Sequence, residues 1–138
     1  MFTQIIKYIS DRKEKREKKN LEKNVDIQRT DCRFLNLQIK KFISTYTSVQ
    51  AIDLPDTEKI YPSFAKMVFD MVKNMEIRKD TSFKGTKYEY ENFNEICELT
   101  NNVYNLKLER RDNYKFLNEL KNEFIKYEKY LCLEKKRI

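Results

Sequence analysis

The chain has 138 residues, with 29 lysines and arginines against 22 aspartates and glutamates, hence a net charge of +7; it contains no histidine and only one glycine. The missing histidine excludes Ser-His and Cys-His nucleophile pairs and imidazole metal ligands, and the single glycine excludes the phosphate-binding loops of nucleotide-dependent enzymes. Hydrophobic residues make up 40% of the chain, which is enough for one core at this length. We therefore expect one folded, non-enzymatic protein without a cofactor.

The three cysteines stand far apart, and the chain has no long apolar stretch. Cys32, Cys97 and Cys132 form no C-x-x-C pair, so zinc and thiol-redox motifs are both missing. No apolar run approaches the roughly 20 residues that cross a bilayer, and the first residues do not resemble a secretory signal. The sequence predicts a cytoplasmic protein with reduced, mostly buried thiols.

The first 24 residues predict a basic N-terminal helix or arm. A short apolar stripe at helical spacing is formed by Phe2, Ile5, Ile6 and Ile9. Residues 12–19 then hold six bases and two acids without an apolar residue, so the apolar face ends there and the segment is a solvated helix or a frayed arm. We divide the chain into this arm, residues 1–24, and a single helical bundle domain, residues 25–138.

Two further helices are predicted before the middle of the chain. Apolar residues at steps of three and four predict a helix over about residues 31–50, with Thr30 or Asp31 as its N-cap. Residues 51–61 contain two aspartates and a proline and are predicted to form a loop. Pro62 suits the first turn of a helix, where its missing N–H is not needed, so the next helix is predicted from there to about residue 78.

The strongest break in the pattern lies at residues 80–85. Thr86 and Glu89 follow it with the spacing of a capping box, which predicts the start of a helix. Beyond this point apolar residues alternate at steps of three and four from Ile96 to Leu131, which is a heptad pattern. A polar interruption divides it at Arg110 and Asn113.

The interruption leaves two alternatives for the C-terminal part of the chain. An unbroken helix over residues 87–134 would be about 72 Å long, which a compact monomer of this size cannot enclose. Either the chain turns near residues 109–113 into an antiparallel hairpin, which we favour, or the rod is covered by a second chain. The predicted fold is all-α: a four- or five-helix bundle with a long C-terminal helical hairpin, or one long helix, and a basic N-terminal helix.

Positive charge is concentrated in the first 30 residues, which hold nine bases and five acids. Such bases can neutralise the phosphates of a nucleic acid and release condensed counterions, although a solvated helix face is the simpler explanation. The candidate contacts are Lys7, Arg12, Lys13, Lys15, Arg16, Lys18, Lys19 and Lys23, with Lys126 and Lys129 as a weaker second set. Phe116 and Tyr130, which lie off the heptad seam, are candidates for stacking on bases. The leading hypothesis is a nucleic-acid-binding small subunit or accessory factor.

A second hypothesis rests on clustered acidic residues. Glu91, Glu95 and Glu98 share one helical face, and we expect a solvated surface or a contact for a basic partner there rather than a metal site, because no second helix offers matching ligands. The alternative function is therefore a protein-interaction adaptor or inhibitor, of the type that viruses or mobile elements encode, which acts through the heptad seam or this acidic face. A homo-oligomer fits this hypothesis. A small-molecule substrate is not expected, and membrane-surface binding is disfavoured because the bases follow the apolar stripe instead of flanking it.

Overall fold

The computed structural model describes residues 2–47, 54–105 and 110–138. In this part of the chain there are four α-helices, one π-helical turn and no strand. The elements are α1 (Phe2–Thr47), α2 (Leu54–Arg78), the π-helical turn (Lys79–Phe83), α3 (Phe93–Asn105) and α4 (Arg110–Lys136). The helices pack side by side as a bundle, which confirms the all-α prediction. None of them has an apolar stretch long enough to cross a membrane.

Helix α1 joins the first two predicted helices into one. It runs without a break over 46 residues, a length of about 69 Å. The predicted N-cap near residue 30 is wrong: the Thr30 hydroxyl donates to the main-chain oxygen of Asp26 at 2.8 Å, one turn back in the same helix. A threonine can bond in this way inside a helix, and no glycine or proline interrupts residues 2–47, so the helix continues through the cap-like residue.

Helix α2 begins earlier than the sequence predicted. It starts at Leu54, so most of the predicted loop is helical, and residues 51–53 lie outside the described residues. Pro62 lies inside the helix and not in its first turn. Pro55 takes the first turn instead, where a missing N–H costs nothing, and this explains why the sequence signal was assigned to the wrong proline.

The predicted capping box does not start a helix. Thr86 and Glu89 instead organise the turn that connects the π-helical turn to α3: the Thr86 hydroxyl donates to the Phe83 main-chain oxygen at 2.8 Å, and the Glu89 carboxylate accepts the Gly85 N–H at 2.9 Å. Gly85 has a φ of +75°, a backbone conformation that glycine adopts readily. Helix α3 follows only at Phe93.

The C-terminal helices form the hairpin that we favoured, and the unbroken rod is wrong. Helices α3 and α4 lie side by side: Phe93, at the start of α3, packs its ring edge-on against Tyr127, late in α4, with ring centroids 5.3 Å apart. Residues 110–113, where part of the turn was predicted, are helical, and residues 106–109 lie outside the described residues. Where the structure describes it, the predicted seam is confirmed as core, with Leu99 only partly buried. Its fully buried members in α4 are Leu117, Leu120, Phe124, Tyr127 and Leu131.

A buried polar group joins three helices at the centre of the bundle. The Gln28 amide of α1 is fully buried; it donates to the main-chain oxygen of Met75 and to the Tyr127 hydroxyl, each at 3.0 Å, and accepts from Arg78 at 2.6 Å. Arg78 also pairs with Asp31 at 2.9 Å. These bonds fix how α1, α2 and α4 meet.

Candidate nucleic-acid interface

The first part of α1 extends beyond the bundle. Residues 2–20 are all exposed, and burial begins at Leu21 and is complete at Val25. Helix α4 runs antiparallel to α1, and its last side chain paired with α1 is Lys135, which bonds Asp26. The part of the predicted arm that lies outside the bundle is therefore residues 2–20 and not residues 1–24, and we keep the name arm for residues 2–20. At 1.5 Å per residue they form about 28 Å of helix outside the bundle.

The sequence explains why burial ends at Leu21. The positions that would continue the buried seam of α1 towards its N-terminus, at steps of three and four, are polar or charged. These positions are Lys18, Glu14, Asp11 and Lys7. Because none of them can add to the core, the helix leaves the bundle instead of packing against it.

Five of the predicted bases share one face of α1. At about 100° of rotation per residue, they fall within a sector roughly 100° wide, which extends about 17 Å along the axis. We call this set the basic face; it consists of Arg12, Lys15, Arg16, Lys19 and Lys23. The four acids among residues 11–23 project outside this sector. The positive charge is therefore one-sided, although acids and bases alternate along the chain.

Most of the basic face has no acidic partner in the part of the protein that the structure describes. Among the side chains that the structure describes, no carboxylate lies within 4 Å of Lys15, Arg16, Lys19 or Lys23. Arg12 lies over the ring of Tyr8, 5.8 Å from its centroid, and keeps its charge exposed. The surface is thus positioned to receive anionic groups from outside.

Three predicted bases of the arm lie off the basic face. Lys13 points to another side of the helix, with its amine 4.0 Å from the Glu17 carboxylate one turn later. Lys7 and Lys18 lie on the side that continues the buried seam. The eight bases predicted in the first 24 residues are therefore five that lie on one surface and three that lie elsewhere on the helix.

The weaker second set lies beside the bundle and not on the arm. Lys126 and Lys129 are exposed on α4, and the Lys126 amine is paired with Glu123 at 3.1 Å. Their neighbour Glu128 bonds both Arg29 and Arg33 at 3.1 Å, so these lysines lie level with the part of α1 inside the bundle. They do not extend the basic face.

The two rings proposed for base stacking are packed into the fold. Phe116 is half-buried against the core. The Tyr130 hydroxyl donates to the main-chain oxygen of Lys87 at 2.7 Å, and its ring lies 4.9 Å from that of Tyr90. Burial raises the pKa of the Tyr130 phenol above its ordinary value. Neither ring is available as a stacking platform, so this prediction is wrong.

The three acidic residues lie in the turn before α3 and in the first half of α3. Glu91 is in the turn before α3, and Glu95 and Glu98 are in α3; all three are exposed. The turn is held against the end of α4, where the Lys87 amine donates to the Arg137 main-chain oxygen at 2.6 Å. No cluster of three side chains suited to a metal ion occurs among the residues that the structure describes.

The apolar stripe at the tip of the arm stays uncovered. Its members, Phe2, Ile5, Ile6 and Ile9, are 58 to 83% exposed. The sequence identified this stripe but gave no sign that the helix carrying it would extend away from every other element.

Comparison of the chain with protein-family models, with curated proteins and with solved structures finds no match.

Proposed function

We propose that the protein is a non-enzymatic nucleic-acid-binding module, a small subunit or accessory factor, whose contact surface is the basic face of α1. One observation carries the proposal: five bases share one exposed side of a helix that extends beyond the bundle, and four of them have no acidic partner within 4 Å among the described side chains. Phosphates bound to such a surface release their condensed counterions, which favours binding independently of base sequence.

The proposal sets the expected salt dependence. If each of the five bases neutralises one phosphate, the logarithm of the binding constant falls with the logarithm of salt concentration at a slope of about −4.5. Between 50 and 200 mM salt the affinity should then drop about 500-fold. Binding of this kind is weak at high salt and strong at low salt, whatever the nucleic-acid sequence.

The alternative, a protein-interaction adaptor or inhibitor, has less surface than the sequence suggested. The heptad seam that it would use is the buried core of this chain, with Leu117 and Phe124 fully buried. The face of Glu91, Glu95 and Glu98 stays exposed and is the surface that this second candidate would use. Among the described residues, no exposed large hydrophobic side chain is next to these acids in the sequence, so we favour the basic face.

Fluorescence anisotropy with short labelled DNA and RNA tests the proposal. The informative variant replaces Lys15, Lys19 and Lys23 by glutamine, and the matched control replaces Lys66, Lys84 and Lys115, which are exposed outside α1 and carry the same total charge. The first variant should lower the magnitude of the salt slope by about 2.7, and the control should leave it near the wild-type value. Undetectable binding of the wild type at 50 mM salt, or equal losses in both variants, would overturn the proposal.

A further inference from the structure

We infer that the nucleic acid is B-form duplex DNA and that the arm lies in its major groove. This inference rests on the proposed function and adds to it the class of nucleic acid and the mode of contact. It is carried by three observations: the isolation of the arm, the width of the basic face, and the presence of a single aromatic ring, that of Tyr8, on this side of residues 2–20.

The arm has the dimensions of an object that enters a groove. Because residues 2–20 are all exposed in the described structure and burial begins only at Leu21, this stretch is a single helix outside the bundle. A helix with its side chains is about 10–12 Å across, and the major groove of B-form DNA is about 12 Å wide. The major groove of an A-form RNA duplex is deep and too narrow for a helix.

The basic face is arranged to reach both walls of such a groove. Lys15 and Arg16 form its two edges, about 100° apart around the helix axis. With Lys19 directed to the floor of the groove, the edge residues point towards the phosphates of opposite strands, which border the groove on its two sides. Glu14 and Glu17 then face away from the DNA, whereas Glu22 lies beside the Lys15 edge of the basic face. A single strand offers phosphates on one side only and would leave one edge unused.

The basic face also lacks the series of aromatic rings on which the bases of a single strand could stack. Proteins that hold single strands stack successive bases on aromatic side chains. On the side of the basic face, residues 2–20 carry one aromatic ring, that of Tyr8, and Arg12 lies over it, 5.8 Å from its centroid. The rings of Phe116 and Tyr130 are packed into the fold. One ring that an arginine covers cannot stack successive bases, which favours a duplex whose bases are already stacked on each other.

Competition binding of the full-length protein tests the inference. The probes are a 20-base-pair DNA duplex, an RNA duplex of the corresponding sequence, and one of the DNA strands alone, all at the same salt concentration. We expect the DNA duplex to bind at least about tenfold more tightly than either alternative, because only it admits the arm between two phosphate walls. Methyl green, which occupies the major groove, should displace the protein, and distamycin, which occupies the minor groove, should not.

Two edge variants sharpen the test. Lys15→Gln and Arg16→Gln should each lower the magnitude of the salt slope on duplex DNA by about 0.9, because each removes one phosphate contact on a different strand. A slope that changes in only one of the two variants would contradict contact with both walls.

The outcomes separate this inference from the proposed function. Equal or tighter binding of the RNA duplex or the single strand would overturn the inference and leave the proposed function standing, as would displacement by distamycin. Absence of binding to all three probes would overturn both.

Discussion

Replacing Gln28 by leucine should destabilise the bundle, although it puts an apolar residue into a fully buried position. The wild-type amide makes three hydrogen bonds, to the Met75 main-chain oxygen, to the Tyr127 hydroxyl and from Arg78. Leucine can make none of them. Arg78 keeps its ion pair with Asp31, so its charge is not left without a partner. The Tyr127 hydroxyl, in contrast, would stay buried without this bond.

The size of the effect follows from these contacts. A buried polar group left without a partner costs about 1–3 kcal/mol, and a lost hydrogen bond to a charged group adds a similar amount, offset in part by the apolar surface that leucine buries. We expect a net loss of about 3 kcal/mol in the free energy of unfolding, which for a chain of this size lowers Tm by about 10 °C. Gln4→Leu, the same change at an exposed position of the arm, should change stability by less than about 0.5 kcal/mol.

Urea unfolding followed by circular dichroism measures these values, and a double-mutant cycle assigns their cause. Tyr127→Phe removes the hydroxyl that Gln28→Leu leaves unpaired, so the double variant should be about 1 kcal/mol more stable than the sum of the two single losses predicts. A Gln28→Leu protein as stable as the wild type, or strict additivity in the cycle, would refute the view that this amide holds the three helices together.

Three further predictions concern other parts of the molecule. Deletion of residues 2–20 should shift Tm by no more than about 2 °C in calorimetry, because none of these residues is buried; a larger loss would show that the arm contributes to the core. Gly85→Ala should lower the free energy of unfolding by about 1 kcal/mol because φ is +75°. Nothing lies within 4 Å of the added Cβ, so the loss comes from the backbone conformation alone. A variant as stable as the wild type in urea unfolding would contradict this. Burial raises the pKa of Tyr61 and of Cys97 to about 12, from ordinary values of 10.0 and 9.0. The unfolded chain therefore loses these protons first, and stability should fall as pH rises from about 9 to 12; a urea midpoint unchanged up to pH 11 would exclude it.

The core could be predicted from the sequence because its signal is periodic and long. Five apolar residues of α4 recur at steps of three and four, and a helix that carries such a stripe must bury it. The hairpin also followed from size, since an unbroken rod could not be enclosed by a chain this short. Helix starts were harder to predict because the signals are local. Thr30 and Pro62 are residues that often begin helices. Neither is preceded by a break strong enough to end the helix that already runs on its N-terminal side.

The candidate site could be predicted in composition but not in arrangement. The sequence identified every base of the basic face. Which of them share a side follows only if residues 12–23 are helical, and how that side is oriented to the bundle follows only if α1 continues past residue 30. The packing of Tyr130 was beyond local reasoning altogether. Its partners, Lys87 and Tyr90, lie about 40 residues away in a turn that the sequence assigned to a helix.

The division of α1 into a buried and an exposed part has a consequence for the proposed binding. An isolated helix as short as the arm is only marginally stable in water, because ordering its first turn costs more conformational entropy than the first hydrogen bond offsets. In this protein that turn is already formed, since the arm continues a helix that Asp26, Arg29 and Arg33 tie to α4. The bundle thus lowers the cost of keeping the basic face helical. A change that loosens α1 near Leu21 should therefore weaken nucleic-acid binding without removing a single charge from the arm.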